Sequence, residues 1–414
     1  MSPHAQLSTP YLSRDIPMAE SFKPTQQAAM DSCWFTKELK HFETCLLVLD
    51  VIESFGTHIG KDVSARWAAK PKFLGHVFHW VRRNEPVQLT MPAFPCKSAN
   101  RNNKVLGHLP DLGEELGLSR LNDIAVAIRN VYQPGALVYI ASDGILFNDI
   151  IGVSDEETWD YSEGLRAIAR EKKLDSIVFL YPQVLIGMMT ASDMTRERYM
   201  STAAECRILL ETRFGSTIEQ IERLIKADPD TNSTYCGMVK FLQTELHAAL
   251  ASKSYRERQK LQKSSAKKMM QRSEAFTLAI RTHRPMDVRL SMHPSSGGTK
   301  LSVALIPSPE GLFQKSPWHS CVAIDGDGGY HCVHSDEVRD THDLVYRDSR
   351  PYFYMSKEAV GLEQFKEFPA AEEFDTVGIV EKQDLLAPIE HSVAPAASQQ
   401  EIVTFFQEKS PVLL

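Results

Sequence analysis

A cationic, amide-rich segment follows a predicted strand in the first quarter of the chain. Within eight residues it contains two lysines, one arginine and three asparagines, among which the candidate anion ligands are Lys97, Asn100, Arg101 and Lys104. Ammonium, guanidinium and amide groups bind phosphate and carboxylate, and α/β sheets bind such ligands where their strands end. The segment therefore predicts an anion site, although an ordinary solvated loop can have the same composition.

Two carboxylates lie at the start of the next predicted helix. Asp111 and Glu114 are three residues apart. This is the spacing of a capping box, in which the two side chains accept hydrogen bonds from free backbone amides of the first helical turn. Carboxylates are also general acids and bases in enzymes, but spacing alone favours the cap.

A second polar group lies on the predicted strand at 287–293. Arg289, Ser291 and His293 alternate with apolar residues and would share one face of that strand. This places a guanidinium, a hydroxyl and an imidazole in a row, which suits ligand binding but also suits the solvent face of an edge strand. Lys300 follows a Gly-Gly-Thr sequence that resembles a phosphate loop only weakly, since a strand and not a helix comes next.

An aromatic pair, Trp318 and His319, ends a loop just before another predicted strand. An indole and an imidazole at that place could stack on a ligand and hydrogen-bond to it. The alternative is that Trp318 anchors the core and His319 is a satisfied polar neighbour. Taken alone, the pair favours the core interpretation.

These residues are distributed over a pattern in which helices and strands alternate. A strand ends near Pro92, and further strands at 135–142 and 176–181 are separated by helical stretches. The chain from about 195 to 280 reads as almost continuous helix. Strand patterns then return at 287–293, 300–307 and 319–324, and we expect the last two to be neighbours in one sheet.

The alternation predicts an α/β fold, with a Rossmann-like mixed sheet flanked by helices and a helical segment at about 195–280 inserted before the final strands. Polar, proline-containing sequence at both ends predicts a flexible N-terminal arm at 1–28 and a C-terminal tail at 386–414. Between them we expect a single catalytic domain at 29–385 with a helical subdomain.

Composition excludes several classes of protein. The 414 residues carry 53 acidic and 46 basic side chains, a formal charge of -7, which disfavours a nucleic-acid partner. No apolar run is long enough for a membrane span, and no secretory signal is visible, so we expect a cytoplasmic protein. The seven scattered cysteines indicate reduced thiols, and two His-x-x-His pairs lack a clear third ligand, so no metal site is predicted.

Taken together, five blocks of the sequence resemble the pyoverdine/dityrosine biosynthesis family, the isocyanide (isonitrile) synthases, and most closely its fungal members. The resemblance spans about 40–370. It is carried by the segments PAFPCKSANRNNKVLGHLPDLGEELGL (92–118), SDG with Phe147 and Asp149 (142–149), TYCGMVKFL (234–242), RLSMHPSSGGTKLSVALIP (289–307) and SPWHS (316–320). The first block and the RLSMHP to PWH series are specific, whereas the others are corroborating.

The resemblance implies an enzyme that joins the α-amine of an L-amino acid, tyrosine-like or aliphatic, to the ketone carbon of ribulose 5-phosphate. That carbon becomes the isonitrile carbon. No metal or redox cofactor is implied. The resemblance further implies a stand-alone synthase whose product is processed by downstream tailoring enzymes, such as an oxygenase.

The residues described above fit this chemistry. A sugar phosphate requires cations and amides, which Lys97, Asn100, Arg101, Lys104 and Lys300 would supply. Arg289 would bind the amino-acid carboxylate through its planar fork. The candidate acids and bases are His293, His319, Asp111 and Glu114, and the remaining candidate binding residues are Ser291, Trp318 and, from the resemblance, Asp143. A Schiff base between Lys97 and the sugar is possible, but we favour direct attack by the substrate amine.

Two other functions are compatible with the sequence. In the first, the enzyme acts in a spore-wall dityrosine pathway and its product is seen as N-formyl-tyrosine, because an isonitrile adds water to give a formamide. In the second, the chain is a non-catalytic binder of a phosphorylated metabolite, which would bind ribulose 5-phosphate without turnover.

Overall fold

The structure is a computed structural model that describes residues 26–57, 70–247, 249–293, 299–308 and 314–358. The predicted arm at 1–28 lies outside these ranges except for its last three residues, which begin the first helix. The predicted tail at 386–414 lies wholly outside them. The boundaries of the catalytic domain at 29 and 385 therefore stay predictions.

The described residues form eleven α-helices, of which three precede the second strand and four make up the helical segment. In chain order they are α1 (Gln26–Ser54), α2 (Leu74–Val81), α3 (Leu112–Val131), α4 (Gly144–Ile151), α5 (Asp155–Glu171), α6 (Pro182–Leu185), α7 (Arg196–Phe214), α8 (Ile218–Ala227), α9 (Pro229–Glu245), α10 (Tyr255–His283) and α11 (Ser335–Val338). Within the described ranges, no helix is both long and apolar enough to cross a membrane.

Nine strands in the described residues form two sheets. The strands are β1 (Val87–Pro92), β2 (Ala136–Ala141), β3 (Ile177–Leu180), β4 (Val288–Ser291), β5 (Leu301–Ser302), β6 (Cys321–Ile324), β7 (Tyr330–Val333), β8 (His342–Arg347) and β9 (Arg350–Ser356). The first sheet has the order β3-β2-β1-β4-β5 and all its pairs are parallel. Together with its flanking helices, this sheet confirms the predicted α/β class.

The helical segment is also confirmed, because α7 to α10 fill residues 196–283 between β3 and β4. One face of the parallel sheet buries alternate residues, such as Leu89, Val138 and Leu290, in a core shared with α1, α2 and α3. A second apolar cluster joins the end of β2 to α4, α6, α7 and α10. The parallel sheet is therefore covered on its first face by the early helices, and the helical segment packs around its other side.

The pairing predicted for the last strands is wrong. The segment at 300–307 contributes β5, which pairs with β4, whereas β6 belongs to a second sheet with the order β7-β6-β9-β8. The reason is the turn after β6, where Gly328 has φ +86° and the amide of Asp325 donates to the carbonyl of Gly329 at 2.7 Å. This turn folds β6 back on β7 as a hairpin, and β9 pairs with the other edge of β6, so neither edge of β6 is left for β5.

Candidate functional site

The candidate site lies at the edge of the parallel sheet where all five strands reach their carboxyl ends. From β1 the chain goes to β2 and β3 on one side, and later to β4 and β5 on the other side. The order of the strands thus reverses at β1 and β4, which is where sheets of this kind bind ligands. The segments that follow β1, β2 and β4 contain the cationic segment, Asp143 and His293 respectively.

Lys97 is completely buried within a set of oxygen acceptors. Its Nζ lies 2.7 Å from Asp111 Oδ2 and 2.8 Å from Glu114 Oε2. It also donates to the carbonyl of Pro317 at 2.9 Å and lies 3.5 Å from that of Ser320. An ammonium has three protons to donate, so these acceptors occupy it fully. This placement favours a structural role for Lys97 over phosphate binding or Schiff-base formation.

The two carboxylates beside Lys97 also form the predicted capping box. Asp111 Oδ1 accepts from the amide of Gly113 at 3.0 Å, and Glu114 Oε2 accepts from the amide of Asp111 at 2.9 Å. Burial raises the pKa of Asp111, Lys97 opposes that rise, and the charge of Glu114 adds to it. The pKa of Lys97 is also raised, because the two carboxylates outweigh burial. Two carboxylates share one ammonium, and this excess of negative charge favours a bound proton. It adds to the rise in the pKa of Asp111 that burial causes, and it accounts for the raised pKa of Lys97.

Lys104 is paired in a similar way by the helical segment. Its Nζ lies 2.5 Å from Glu245 Oε1 and donates to Thr244 Oγ1 at 2.9 Å, both near the end of α9. Glu245 is itself buried and also accepts from the hydroxyl of Ser98. Sequence reasoning missed Glu245, because nothing near it in the chain marks a helical glutamate as the partner of a lysine 141 residues away.

The middle of the cationic segment faces outward. Arg101 is exposed and its guanidinium pairs with Glu157 of α5. Asn100 is half-buried, and its side-chain oxygen accepts from the amide of Asn103 at 3.2 Å. Asn100 therefore stabilises the turn of this segment, and Arg101 attaches the segment to α5.

The segment also contacts the backbone that carries Asp143. A Cβ atom added to Gly144, the first residue of α4, would lie 1.9 Å from the carbonyl oxygen of Pro95 and 2.6 Å from Cγ2 of Thr158. Only glycine fits at so close an approach. Asp143 is thereby held next to the segment that follows β1.

The predicted row on β4 is shorter than the sequence pattern indicates. Arg289 and Ser291 lie on the strand, but β4 ends at Ser291 and His293 lies beyond it. The hydroxyl of Ser291 accepts from the amide of His293 at 3.1 Å, and this local bond competes with continued strand pairing. His293 consequently leaves the strand direction at the carboxyl edge of the sheet.

Arg289 and Asp143 act on each other electrostatically, and each has an unmatched polar atom. Arg289 Nη1 and Asp143 Oδ1 are buried and have no hydrogen-bond partner among the described residues. Burial raises the pKa of Asp143 to about 6. The hydrogen bond to its own backbone and the positive charge of Arg289 both oppose this rise. Burial lowers the pKa of Arg289 to about 10. The charge of Asp143 opposes this shift, and the charge of Arg281 adds to it.

Further cationic or basic groups continue from Arg289 along this edge. The pKa of Lys300 is lowered, first by burial and then by repulsion from Arg289. The pKa of His293 is lowered in the same way, by burial and by repulsion from Lys300. His293 is nevertheless exposed to solvent. Enough protein lies around its ring to lower its pKa, and water still reaches it. Arg289 and Lys300 thus form one electropositive region, and the neutral imidazole of His293 lies beside it.

His319 and Trp318 have different environments. Trp318 is buried in the main core, with its ring 5.2 Å from that of Phe94, which favours the core interpretation over ligand contact. His319 packs edge-on against Phe241 at 4.8 Å, and its buried Nδ1 has no partner in the described part of the chain. Burial, Lys104 and His293 lower the pKa of His319 to about 3, so its imidazole is neutral at physiological pH.

Sequence reasoning also missed Gln183, which lies in α6 just after β3. Its side chain is fully buried, and both of its amide atoms lack hydrogen-bond partners among the described residues. A single glutamine after a proline carries no motif, and the only available signal was its place after a predicted strand. Within the ranges that the structure describes, no group of three or more His, Cys, Asp or Glu residues is arranged to hold a metal ion.

Comparison with known proteins identifies relatives of this chain. The profile of the family described as pyoverdine/dityrosine biosynthesis protein matches residues 77–345. Isocyanide synthase xanB of Aspergillus fumigatus is 39% identical over 320 residues, which are 76% of this chain and 42% of that protein. L-tryptophan isonitrile synthase AmbI2 of Fischerella ambigua is 32% identical over 254 residues, 61% of this chain and 72% of that protein.

The fold is shared with a solved structure, that of the PvcA protein from Pseudomonas aeruginosa. The TM-score is 0.67 at 24% identity, and the match covers 76% of this chain and 99% of that chain. Some relatives are much longer than the matched part, since the match covers 42% of xanB and 20% of the isocyanide synthase-NRPS hybrid crmA of the same fungus.

Proposed function

The chain belongs to the pyoverdine/dityrosine biosynthesis family, and from this premise we propose that it is an isonitrile synthase. It converts the α-amine of an L-amino acid to an isonitrile and takes the added carbon from ribulose 5-phosphate. The observation that carries this proposal is the presence of three unmatched buried atoms, Arg289 Nη1, Asp143 Oδ1 and His319 Nδ1. Buried polar atoms are nearly always hydrogen-bonded, so a polar ligand is expected at them.

An amino acid matches the pair formed by Asp143, which follows β2, and Arg289 on β4. Its carboxylate accepts from the guanidinium of Arg289, and its ammonium donates to the carboxylate of Asp143. Condensation requires the neutral amine. Asp143, whose pKa is raised to about 6 by burial, holds a proton more readily than an ordinary aspartate and accepts one from the ammonium.

The sugar phosphate matches the electropositive region next to this pair. A phosphate monoester carries about -1.5 to -2 charges at neutral pH, and Lys300 and His293 lie along this edge. An anion close to an imidazole favours its protonated form and raises its pKa. Binding of the sugar phosphate therefore makes His293 and His319 better proton acceptors than they are in the empty site.

The reaction starts when the amine nitrogen attacks the ketone carbon and the carbonyl oxygen leaves as water. Successive eliminations then cleave both carbon–carbon bonds of the former ketone carbon, so the one-carbon and three-carbon parts of the sugar leave as separate fragments and phosphate is lost from the three-carbon part. The ketone carbon and the isonitrile carbon have the same formal oxidation state, so the conversion needs no external oxidant. The protein has to supply proton acceptors and donors and to hold both substrates in contact.

The test is mass spectrometry of the purified protein with a pool of amino acids and ribulose 5-phosphate labelled with ¹³C at the ketone carbon. We expect an isonitrile that contains the label. Asp143→Asn should lower the yield, whereas Asp160→Asn, on the exposed side of α5, should leave it unchanged. Rapid trapping that finds only a labelled formamide would favour the N-formyl product, and binding of the sugar without any turnover would contradict an enzyme.

A further inference from the structure

The amide of Gln183 is a polar group enclosed at an unusual place. Its side chain is fully buried, and neither its oxygen nor its nitrogen has a hydrogen-bond partner among the described residues. An unmatched amide inside a protein is destabilising, because it has lost water without gaining a partner. A partner that arrives with a ligand would remove this cost.

Gln183 and Asp143 follow the carboxyl ends of neighbouring strands, and Arg289 lies within β4 of the same sheet, level with Tyr139 of β2. In the register of the parallel sheet, Ala141 lies opposite Leu180. Asp143 comes two residues after Ala141, and Gln183 comes three residues after Leu180. Neighbouring strands are about 4.8 Å apart, so the strand order places Gln183 first, Asp143 next to it, and Arg289 two strands further on.

The part of the chain that carries Gln183 packs into an apolar cluster. Leu185 and Ile186, two and three residues after Gln183, are buried together with Ile145 of α4 and Phe276 of α10. Apolar walls with a single amide suit a side chain that is hydrophobic over most of its length and polar at its end. A phenol or an indole has this character, whereas leucine, valine and phenylalanine lack the polar end.

We infer that Gln183 is a specificity-determining residue that hydrogen-bonds the polar end of the side chain of the amino-acid substrate. The inference rests on the proposed function. Arg289 holds the carboxylate, Asp143 holds the amine, and the side chain extends past β2 towards β3, where the amide accepts from a hydroxyl or ring N–H or donates to a hydroxyl.

The experiment uses Gln183→Met, which keeps the length of the side chain and removes its polar atoms, and compares it with Gln271→Met. Gln271 is also a buried glutamine, but it donates to the carbonyl of Ser216 at 2.7 Å. Thermal unfolding is recorded without ligand and with tyrosine, tryptophan, phenylalanine or leucine. Turnover is measured for the same four amino acids with ribulose 5-phosphate.

Without ligand, we expect Gln183→Met to unfold at the same or a higher temperature than the wild type, and Gln271→Met to unfold at a lower one. Tyrosine or tryptophan should stabilise the wild type more than phenylalanine does. Gln183→Met should reduce that preference about tenfold or more, both in affinity and in kcat/KM, while Gln271→Met keeps it.

Equal stabilisation of the wild type by all four amino acids, stabilisation by none of them, or a preference that survives in Gln183→Met would overturn the inference. A ligand-free Gln183→Met protein as destabilised as Gln271→Met would also overturn it, since Gln183 would then have a structural partner. Amino-acid preference without any turnover would instead sustain Gln183 and refute the isonitrile reaction. Turnover without the preference would instead refute the role of Gln183 and sustain the isonitrile reaction.

Discussion

Two groups of cations at one end of the parallel sheet differ in whether their charges are already matched. In the segment after β1, Lys97 pairs with Asp111 and Glu114, Lys104 pairs with Glu245, and Arg101 pairs with Glu157. On β4, Arg289 has a buried nitrogen without a partner in the described residues. Each cation of the first group forms an ion pair with a carboxylate, whereas Arg289 forms none within the part of the chain that the structure describes.

The difference separates residues that build the site from residues that bind its ligands. A run of lysines and asparagines predicts anion binding only if the fold leaves those charges unmatched. Here the fold uses them to attach the segment to α3, α5 and α9, and it leaves Arg289, Asp143 and His319 to a ligand. The predictions below test this division, beginning with the largest expected effect.

Lys97→Met should lower the free energy of unfolding by about 3–5 kcal/mol, because it leaves two buried carboxylates without their cation. The loss should be larger at pH 8 than at pH 6. A carboxyl whose pKa is raised in the folded protein stabilises the fold at low pH and loses that contribution as pH rises through the raised value. Removing Lys97 raises the pKa of Asp111 further, so the pH range over which stability is lost extends to higher pH. Urea denaturation at the two pH values measures both effects.

The double variant Lys97→Met with Asp111→Asn is the control, and it should recover part of the lost stability. A Lys97→Met protein that unfolds like the wild type but has lost turnover would break the division, because Lys97 would then act on the substrate.

His293→Ala should lower kcat by about 10²–10⁴-fold if His293 transfers protons, with a smaller effect on substrate binding. His331→Ala is the matched control, because His331 lies in the second sheet and pairs with Asp325 at 3.1 Å. Steady-state kinetics are compared once both variants show the melting temperature of the wild type. Near-normal turnover of a folded His293→Ala enzyme would move the role of base to His319, Asp111 or Glu114.

Arg289→Lys should raise the KM for the amino acid about tenfold while changing the KM for the sugar less. The substitution keeps the positive charge but loses the planar fork that binds a carboxylate at two points. Arg281→Lys, on the exposed side of α10, should change neither constant. An equal rise in both constants would show that Arg289 does not distinguish the two substrates.

Arg101→Ala should have the smallest effect, with a change in the free energy of unfolding below about 1 kcal/mol and turnover close to that of the wild type. Its pair with Glu157 is exposed on the arginine side, at 42% of the side chain, and such pairs contribute little. Denaturation and kinetics with varied ribulose 5-phosphate measure both quantities. A tenfold rise in the KM for the sugar would mean that this part of the segment closes over the phosphate.

The sequence was sufficient to predict the α/β class and the strands β1, β2 and β3, because these strands have apolar runs separated by helical periodicity. It also placed Arg289, Asp143 and His319 among the candidates. The pairing of β6 could not be predicted from the sequence, because β6 pairs in parallel with β9 about thirty residues later and no local pattern marks that partner.

The partners of the cations could not be predicted for the same reason. Spacing identified Asp111 and Glu114 as a capping box, and the box is present, but spacing does not show that Lys97 completes it. Glu245 and Gln183 carry no motif, and their importance comes from burial and from neighbours that only the folded chain brings together.

The buried bond from Lys97 to the carbonyl of Pro317 joins residues that are 220 positions apart. On a ribosome that adds about 5–20 residues per second, the acceptor is synthesised roughly 10–40 s after the donor. Throughout that interval α3 and β1 can form, but Lys97 lacks one of the oxygens that surround it in the finished protein. The nascent chain therefore exists for a time with its sheet begun and its ligand-binding edge incomplete.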